Sequence, residues 1–405
     1  MAARRRGVAT TSTLARVNQT SIIEALKSSG ALSRQQIGAM TGLSPATVNR
    51  LTADLLDKGI VANAGVEPST GGRPSILLRF AGGTRVVVAV QLRAQGATGA
   101  LVDLDGKIVF RREVSFGASN RRRAQADAPE GQPDSLRLTT ELVEFLVETA
   151  RGMATPCVAI GVAVPGVIQG AGGAVGRMPE LGWDGLELGA YLRSRTTLPV
   201  VVENDANSLA YGESTRGAGQ GLSSLVALVL ENGLGSGIVT NGQLHRGANG
   251  EAGEIGYLLM ERASFKRSYS DIGDLEDRIG SVALTRTARD RGIEFPAGTL
   301  VTAEDIFQRA REGDAAAAEL AEEVLDMVAI AMAAIVIILD PQLVVVGSNF
   351  VGSAETVIPA IQQRLSGRIM TVPPMIAATH RVDAVLLGVA ELAASEVNGF
   401  AYVAY

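Results

Sequence analysis

Cysteine is almost missing from this 405-residue chain: Cys157 stands alone. A single thiol cannot close an intrachain disulfide, so packing must hold the fold, and a reducing, cytoplasmic setting is expected. Aromatic residues supply only 4% of the chain against 46% for all hydrophobic residues, which makes the core mostly aliphatic. Long apolar runs are lacking too. The longest, MVAIAMAAIVIIL at Met327–Leu339, falls well short of the roughly 20 residues that a membrane helix needs. No membrane span is expected, and the run reads as a buried helix leading into the next strand. The first residues, MAARRRGVATTS, are basic but lack the apolar stretch of a secretory signal, so none is expected there.

What is present is unevenly spread. The net charge is −5, yet residues 1–80 hold ten Lys/Arg against four Asp/Glu, while the remainder holds 27 against 38. A basic head on an acidic body points the head toward nucleic acid and gives the body another task. Glycine, at 47 residues, implies many tight turns.

The head reads as a winged helix-turn-helix, residues 1–80. In LSRQQIGAMTGLSPATVNRLTADLLDKGIV, Ser33 and Gln36 fit a capping box, and Ile37 with Met40 form an inner face. Gly42 ends that helix, Ser44 caps the next, and Pro45 opens it. Val48, Leu51 and Leu55 recur at helical spacing and predict a buried stripe. Ala46, Asn49, Arg50 and Ala53 are left pointing outward. SIIEALKSSG forms a supporting helix, and IVANAGV and SILLRF form two strands around the wing EPSTGGRP. Two short capped helices with so brief a gap set the second into a DNA major groove. The candidate DNA contacts are Ser44, Ala46, Thr47, Asn49 and Arg50, with Arg73 of the wing reaching a minor groove.

The body repeats a pattern. TRVVVAVQLRAQGATGALVDLDGKIVFRREVSF predicts three strands, with LDG marking a hairpin. ASNRRRAQADAPEGQPDS is an exposed loop, SLRLTTELVEFLVETARG an amphipathic helix, and CVAIGVAVPGVI a buried strand broken at Pro165-Gly166. SSLVALVLENGLGSGIVTNGQLHRG then restarts the series, with a hairpin at Asn241-Gly242. Two strand-rich starts, each followed by helices, predict two similar lobes with a ligand cleft between them.

The motifs GGRP, VPG, ENDAN, RGANGEAGEIG and GDLE follow one another in that order. From Val17 to near the C-terminus, the chain resembles the ROK family (repressors, open reading frames and sugar kinases), in its transcriptional-regulator branch of the xylose- and N-acetylglucosamine-repressor type. The resemblance implies an α/β two-lobed actin/hexokinase-like (ribonuclease H-like) body behind the N-terminal all-α winged helix-turn-helix. Lobe 1 would span residues 81–205, joined by a C-terminal helix at 386–405, and lobe 2 residues 206–385. It implies a monosaccharide or sugar phosphate in the cleft, held by Asn204, Asp205, Glu254 and Glu276. Tyr257 stands where the family has histidine and is expected to donate its hydroxyl to the ligand instead. A homodimer or homotetramer on a double-stranded operator is implied as well.

The chain departs from the kinase pattern at three places. Gln91 takes the place of an aspartate at the first phosphate turn, where Arg93-Ala94 replaces a glycine pair. Asn232 replaces a threonine in ENGLGSG, and Ser348 replaces a glycine in VVVGSNF. Phosphoryl transfer relies on close backbone approach to phosphates and a placed metal, so no kinase activity and no catalytic residue are expected. Asp205 would then accept a sugar hydroxyl without acting as a base. A sugar kinase retaining a DNA-binding head is the alternative, and a regulator driven by a protein partner is a third reading. Zinc-bearing relatives use that histidine and three cysteines. Here the aligned segment RSYSDIGD has no cysteine, and the two histidines, His245 and His380, lie elsewhere, so no zinc or other cofactor is expected. Ion pairs of Arg267 with Asp271 or Asp274 are expected to order that loop instead.

Overall fold

The computed structural model describes residues 11–67, 75–116, 133–170, 173–176, 178, 181–230, 233–269, 272–348 and 352–398. The head runs α1 (Thr11–Ser29), β1 (Leu32–Ser33), α2 (Arg34–Thr41), α3 (Pro45–Asp57), β2 (Val61–Val66) and β3 (Ile76–Phe80). Its three strands form one sheet in the order β1-β3-β2. The capping box forms: Ser33 Oγ accepts from Gln36 N, and Gln36 Oε1 accepts from Ser33 N at 2.7 Å. Gly42 adopts the left-handed conformation, φ 70°, that ends α2, and Ser44 caps α3 with Pro45 behind it. Ile22, Leu26, Ile37, Leu51, Leu55 and Leu78 make the head's core.

Met40 departs from the expected inner face and is 52% exposed. A two-turn helix has room for one inward residue between α1 and α3. Ile37 takes it, and Met40, a further turn along and rotated, is left uncovered. The first helix also begins earlier than its periodic segment suggested.

The body opens with β4 (Val86–Arg93), β5 (Gly96–Asp103) and β6 (Ile108–Ser115), then α4 (Asp134–Gly152) and β7 (Cys157–Val164). After the short β8 (Ile168–Gln169) and β9 (Ala174–Val175) come α5 (Leu188–Arg193), β10 (Val200–Asn204) and α6 (Asp205–Thr215). The second series is β11 (Ser224–Leu230), β12 (Leu234–Thr240) and β13 (Gln243–Leu244), followed by α7 (Glu276–Ile279), α8 (Ser281–Asp290), α9 (Ala303–Arg311) and α10 (Ala315–Leu339). It closes with β14 (Val344–Ser348), α11 (Ala354–Leu365), β15 (Met375–Ala377) and α12 (Ala384–Asn398).

The two five-stranded sheets share one topology, β10-β7-β4-β5-β6 and β13-β12-β11-β14-β15. In each, an antiparallel three-stranded meander comes first, and its first strand then pairs in parallel with a later strand that pairs in parallel with another. Asn241 and Gly242 both have positive φ, 53° and 70°, the hairpin geometry their identities predict.

The layers run α4 and α5, first sheet, α12 against α6, second sheet, then α7–α11. One aliphatic core lies between the sheets and includes Ala89, Ala163, Leu209, Ala227, Val345 and Val389. Separate cores fill the outer side of each sheet. Central β4 is buried from Val86 to Leu92, as expected of a strand covered on both faces. The run Met327–Leu339 lies in α10, but Ile330, Ile337 and Ile338 are exposed. The expected buried helix therefore has one bare apolar stripe, because only one side of α10 meets the sheet.

Candidate functional site

The parallel strands β4, β7 and β10 end together. Gln91 pairs with Ala163, and Asn204 with Val164. Open α/β sheets bind ligands beyond such carboxyl ends. Asn204 is the N-cap of α6: its Oδ1 accepts from Asn207 N at 3.1 Å, and its Nδ2 donates to Gly166 O at 3.1 Å. The side chain thus ties the helix start to the Pro165-Gly166 turn. Asp205 is buried and its Oδ1 accepts from Ala206 N at 2.7 Å. A carboxylate in the first helical turn is favoured by the helix dipole.

Glu203, quoted in ENDAN but given no role by the sequence reading, anchors this start. It is buried, and Arg246 grips Oε2 through Nε at 2.7 Å and Nη2 at 2.6 Å. Its Oε1 accepts from Asn204 N and Asn207 Nδ2, each at 3.0 Å. Asn207 is buried too, and its Oδ1 has no partner among the described residues. Arg246 opens RGANGEAGEIG, so two motifs distant in sequence meet through one ion pair. The residue types carried a charge signal for this; which would pair with which was not encoded locally.

Residues 233–237 at the start of β12 are the shared neighbour of the other candidates. A Cβ on Gly237 would sit 2.0 Å from Ala206 O, and one on Gly235 would sit 3.6 Å from Ala206 Cβ, beside Asp205. Ser236 N donates to Gly253 O at 2.9 Å, next to Glu254. The Glu276 carboxylate, at the start of α7, lies where Cβ atoms on Gly233 and Gly256 would be, 2.3 Å and 3.0 Å from its oxygens. Asp205, Glu254 and Glu276 are therefore placed around one strand start. Burial, and then the charge of Glu251, push the Glu254 carboxyl above its usual range. Tyr257 ends a short helical turn, Ile255–Tyr257, and is 43% exposed.

At the first hairpin, Arg93 folds back, donating to Gln91 Oε1 at 2.9 Å and Thr98 Oγ1 at 3.3 Å. Ser348 ends β14, and Asn232 lies outside the described residues.

The segment aligned with zinc ligands is organised around Asp274, which is buried. Its Oδ2 accepts from Met260 N and Ser264 Oγ, both at 2.7 Å. Its Oδ1 accepts from Tyr269 OH at 2.7 Å and Arg278 Nε at 3.1 Å. Burial works to raise its pKa, but these four donors outweigh it and hold the carboxyl at about 2. The expected pairing of Arg267 with Asp274 is corrected: Arg267 binds Asp277 at 2.8 Å, and the cation on Asp274 is Arg278. Arg278 sits one helical turn after Asp274, whereas Arg267 is carried away on the preceding loop. Asp271 lies outside the described residues, among which no group of three or more His, Cys, Asp or Glu could hold a metal.

In the head, Ser44, Ala46, Asn49, Arg50 and Ala53 are exposed on one face of α3, and Thr47 is half-buried beside Ser44, with their hydroxyls 2.9 Å apart. Arg73 lies outside the described residues. Lys58 is engaged by Asp54 at 2.7 Å, so Arg50 carries the positive charge of that face. No helix among the described residues is long and apolar enough to cross a membrane.

A model of the ROK family matches residues 87–396, and one for winged helix-turn-helix DNA-binding matches residues 3–62. The chain is 28% identical to a xylose repressor of Caldicellulosiruptor bescii over 344 residues, 83% of this chain and 84% of the relative. It is 25% identical to an N-acetylglucosamine repressor of Escherichia coli O157:H7, covering 85% of this chain and 84% of that one. A ROK family transcriptional regulator, a homologue of the E. coli MLC protein, superposes with a TM-score of 0.78 at 21% identity, covering 95% of this chain and 97% of the other. A ROK family glucokinase from Streptomyces griseus, in complex with glucose and AMPPNP, gives a TM-score of 0.63 at 24% identity, over 76% of this chain and 99% of its own.

Proposed function

The chain belongs to the ROK family, and on that premise we propose that it is a sugar-responsive transcriptional repressor. The head binds an operator through α3, and a monosaccharide or sugar phosphate in the body is the effector. The observation that carries this reading is the bare outer face of α3, held out by a capped and packed winged helix in the same chain as a two-lobed body. Its curated relatives, named as xylose and N-acetylglucosamine repressors, support the sugar. Recognition helices of this kind work as symmetric pairs on two half-sites, so the protein acts as a homodimer or a dimer of dimers.

Asn204, Asp205, Glu254, Tyr257 and Glu276 are the proposed sugar contacts. Carboxylates accept hydroxyl protons, and an amide both donates and accepts, which suits a polyol. The body senses sugar and does not phosphorylate it. Arg93, drawn over Gln91 and Thr98, occupies the turn where bare backbone would have to meet phosphate. Selection of an operator from a random duplex pool, followed by affinity measurements at one salt concentration, tests the head. Arg50→Ala should lose about 1–3 kcal/mol, roughly 5–150-fold. An unchanged affinity would remove Arg50 from the interface. A thermal-shift panel of D-xylose, D-glucose, N-acetylglucosamine and their phosphates tests the cleft, because a ligand that binds only the native state raises Tm.

A further inference from the structure

Helix α6 has two ends with different neighbours. Its start is the proposed sugar site. Its eleven residues carry it about 16 Å further, to the place where the head meets the body. There the C-cap residue, Arg216, donates through Nε to Glu391 Oε2 at 2.5 Å and through Nη2 to Leu104 O at 2.7 Å. Glu391 belongs to α12, and its other oxygen lies 3.7 Å from Nζ of Lys27, on α1 of the head. Lys27 also stands over the Phe80 ring, 5.0 Å from its centre, and Phe80 packs against both the head's core and the body's central core.

The strap after Phe80 is stitched down as well. Leu104 N donates to Gly82 O at 3.1 Å, and a Cβ on Gly82 would strike the Asp105 carboxylate. Two cations and the carboxylate between them thus join α1, α12 and α6, all beside the 103–106 turn that receives the strap.

The path between the ends of α6 has little slack. A Cβ on Gly212 would lie 2.8 Å from Gly388 Cα, and one on Gly388 would lie 1.9 Å from Ser208 O, so α6 and α12 cross backbone to backbone. Gly237 presses on α6 from the other side. At that crossing no side chain separates the two backbones, and packed aliphatic side chains fill the rest of the contact, so a shift of α6 has to move α12 with it. At the junction the opposite holds: a cavity of about 200 Å³, lined by Asp103, Glu213, Arg216, His380 and Glu391 among others, gives the charged side chains room to rearrange. Close contact along the path and room at its end are what an element with two arrangements requires.

We propose that the Lys27–Glu391–Arg216 chain is the coupling element through which occupancy at the start of α6 sets the position of the DNA-binding head. These are positioning residues and touch neither sugar nor DNA. The inference rests on the reading of the protein as an effector-controlled DNA-binding repressor.

The test uses the full-length protein and Lys27→Met, Glu391→Gln and the double variant. Methionine keeps the length of the lysine stem and removes its charge. Sugar affinity is read by calorimetry with D-xylose, N-acetylglucosamine and N-acetylglucosamine 6-phosphate. Operator affinity is read with and without each, and hydrogen exchange is followed in α1 and residues 81–85. In the wild type, the bound sugar should change operator affinity about 5–150-fold. In each single variant, sugar affinity and sugar-free operator affinity should stay within about threefold, while the sugar-induced change falls to a third of wild type or less. Exchange at 81–85 should quicken, and the double variant should resemble the singles, as expected of residues acting as one unit.

A full sugar response in both single variants overturns the coupling. If the wild type answers none of these sugars, the functional reading fails on those probes, and exchange alone judges the junction. Unchanged exchange in Lys27→Met then overturns the proposal, and faster exchange at 81–85 supports it.

Discussion

The two lobes build the same sheet and finish its leading hairpin in different ways. In the first, a long side chain does the finishing: Arg93 lies back on Gln91 and Thr98 across the β4–β5 hairpin. In the second, the absence of side chains does it. Gly237 lets β12 touch the backbone of α6, and Gly233 leaves space for the Glu276 carboxylate. A glycine-rich turn between strands reads, in sequence, as a phosphate cradle. Here the glycines have a packing role that needs no phosphate, so a glycine-rich turn is not by itself a sign of nucleotide binding.

Breaking the second hairpin should cost the most. Gly237→Ala would place a methyl group 2.0 Å from Ala206 O, against backbone at the helix start. Overpacking of this kind costs about 1–3 kcal/mol where neighbours can yield. Here a strand and a helix must part, so the loss should reach the upper end or beyond, read as a drop in the denaturant midpoint. A variant as stable as wild type would mean that the close contact is absent in solution.

Next in size is the loop that the second lobe orders around Asp274. Its carboxyl is held at about 2 against an ordinary 3.8, which corresponds to about 2 kcal/mol of stability. A lowered pKa contributes above the unfolded value and is lost on acidification. This share should therefore be intact above about pH 4 and vanish between pH 4 and pH 2. Asp274→Asn should lose about 2 kcal/mol at neutral pH and show a flatter stability profile across that window. The same protein, purified without chelator, should contain no stoichiometric zinc by elemental analysis; zinc whose removal by EDTA lowers Tm would refute the claim that the loop orders itself.

A third comparison sets ligand binding against scaffold at the start of α6. Asp205→Ala should weaken the sugar and leave sugar-free operator affinity within about twofold, giving a repressor that no longer responds. Loss of DNA binding in a folded Asp205→Ala protein would make Asp205 part of the frame. The smallest effect is expected in the first hairpin. Arg93→Gly removes two part-buried hydrogen bonds, to the Gln91 and Thr98 side chains, and should cost about 1 kcal/mol. It should yield no sugar phosphate when incubated with ATP, magnesium and the monosaccharide panel. Measurable phosphotransfer in that variant, or in wild type, would return the body to the kinases.

Features decided within a few residues were legible in the chain. Ser33 with Gln36, Ser44 with Pro45, and Asn241-Gly242 each state their own geometry, because capping and turn energetics depend on neighbours in sequence. The repeat of strands followed by helices was legible for a similar reason: periodic burial is written into each segment. The aliphatic β4 and β11 read as strands before any partner is known.

What the tertiary structure alone decided are pairings across long separations. Met40 was free to be inside or outside until α1 and α3 took the space around α2. Arg267 had several acids within reach, and the path of its loop gave it Asp277 and left Asp274 to Arg278. Glu203 met Arg246, and Lys27 met Glu391, only because whole elements were already packed. Composition and spacing specify which charges exist and which helices and strands carry them. Which charge faces which is set when aliphatic burial brings the sheets and helices together, since that burial is the larger energy and the ion pairs form in the places it leaves.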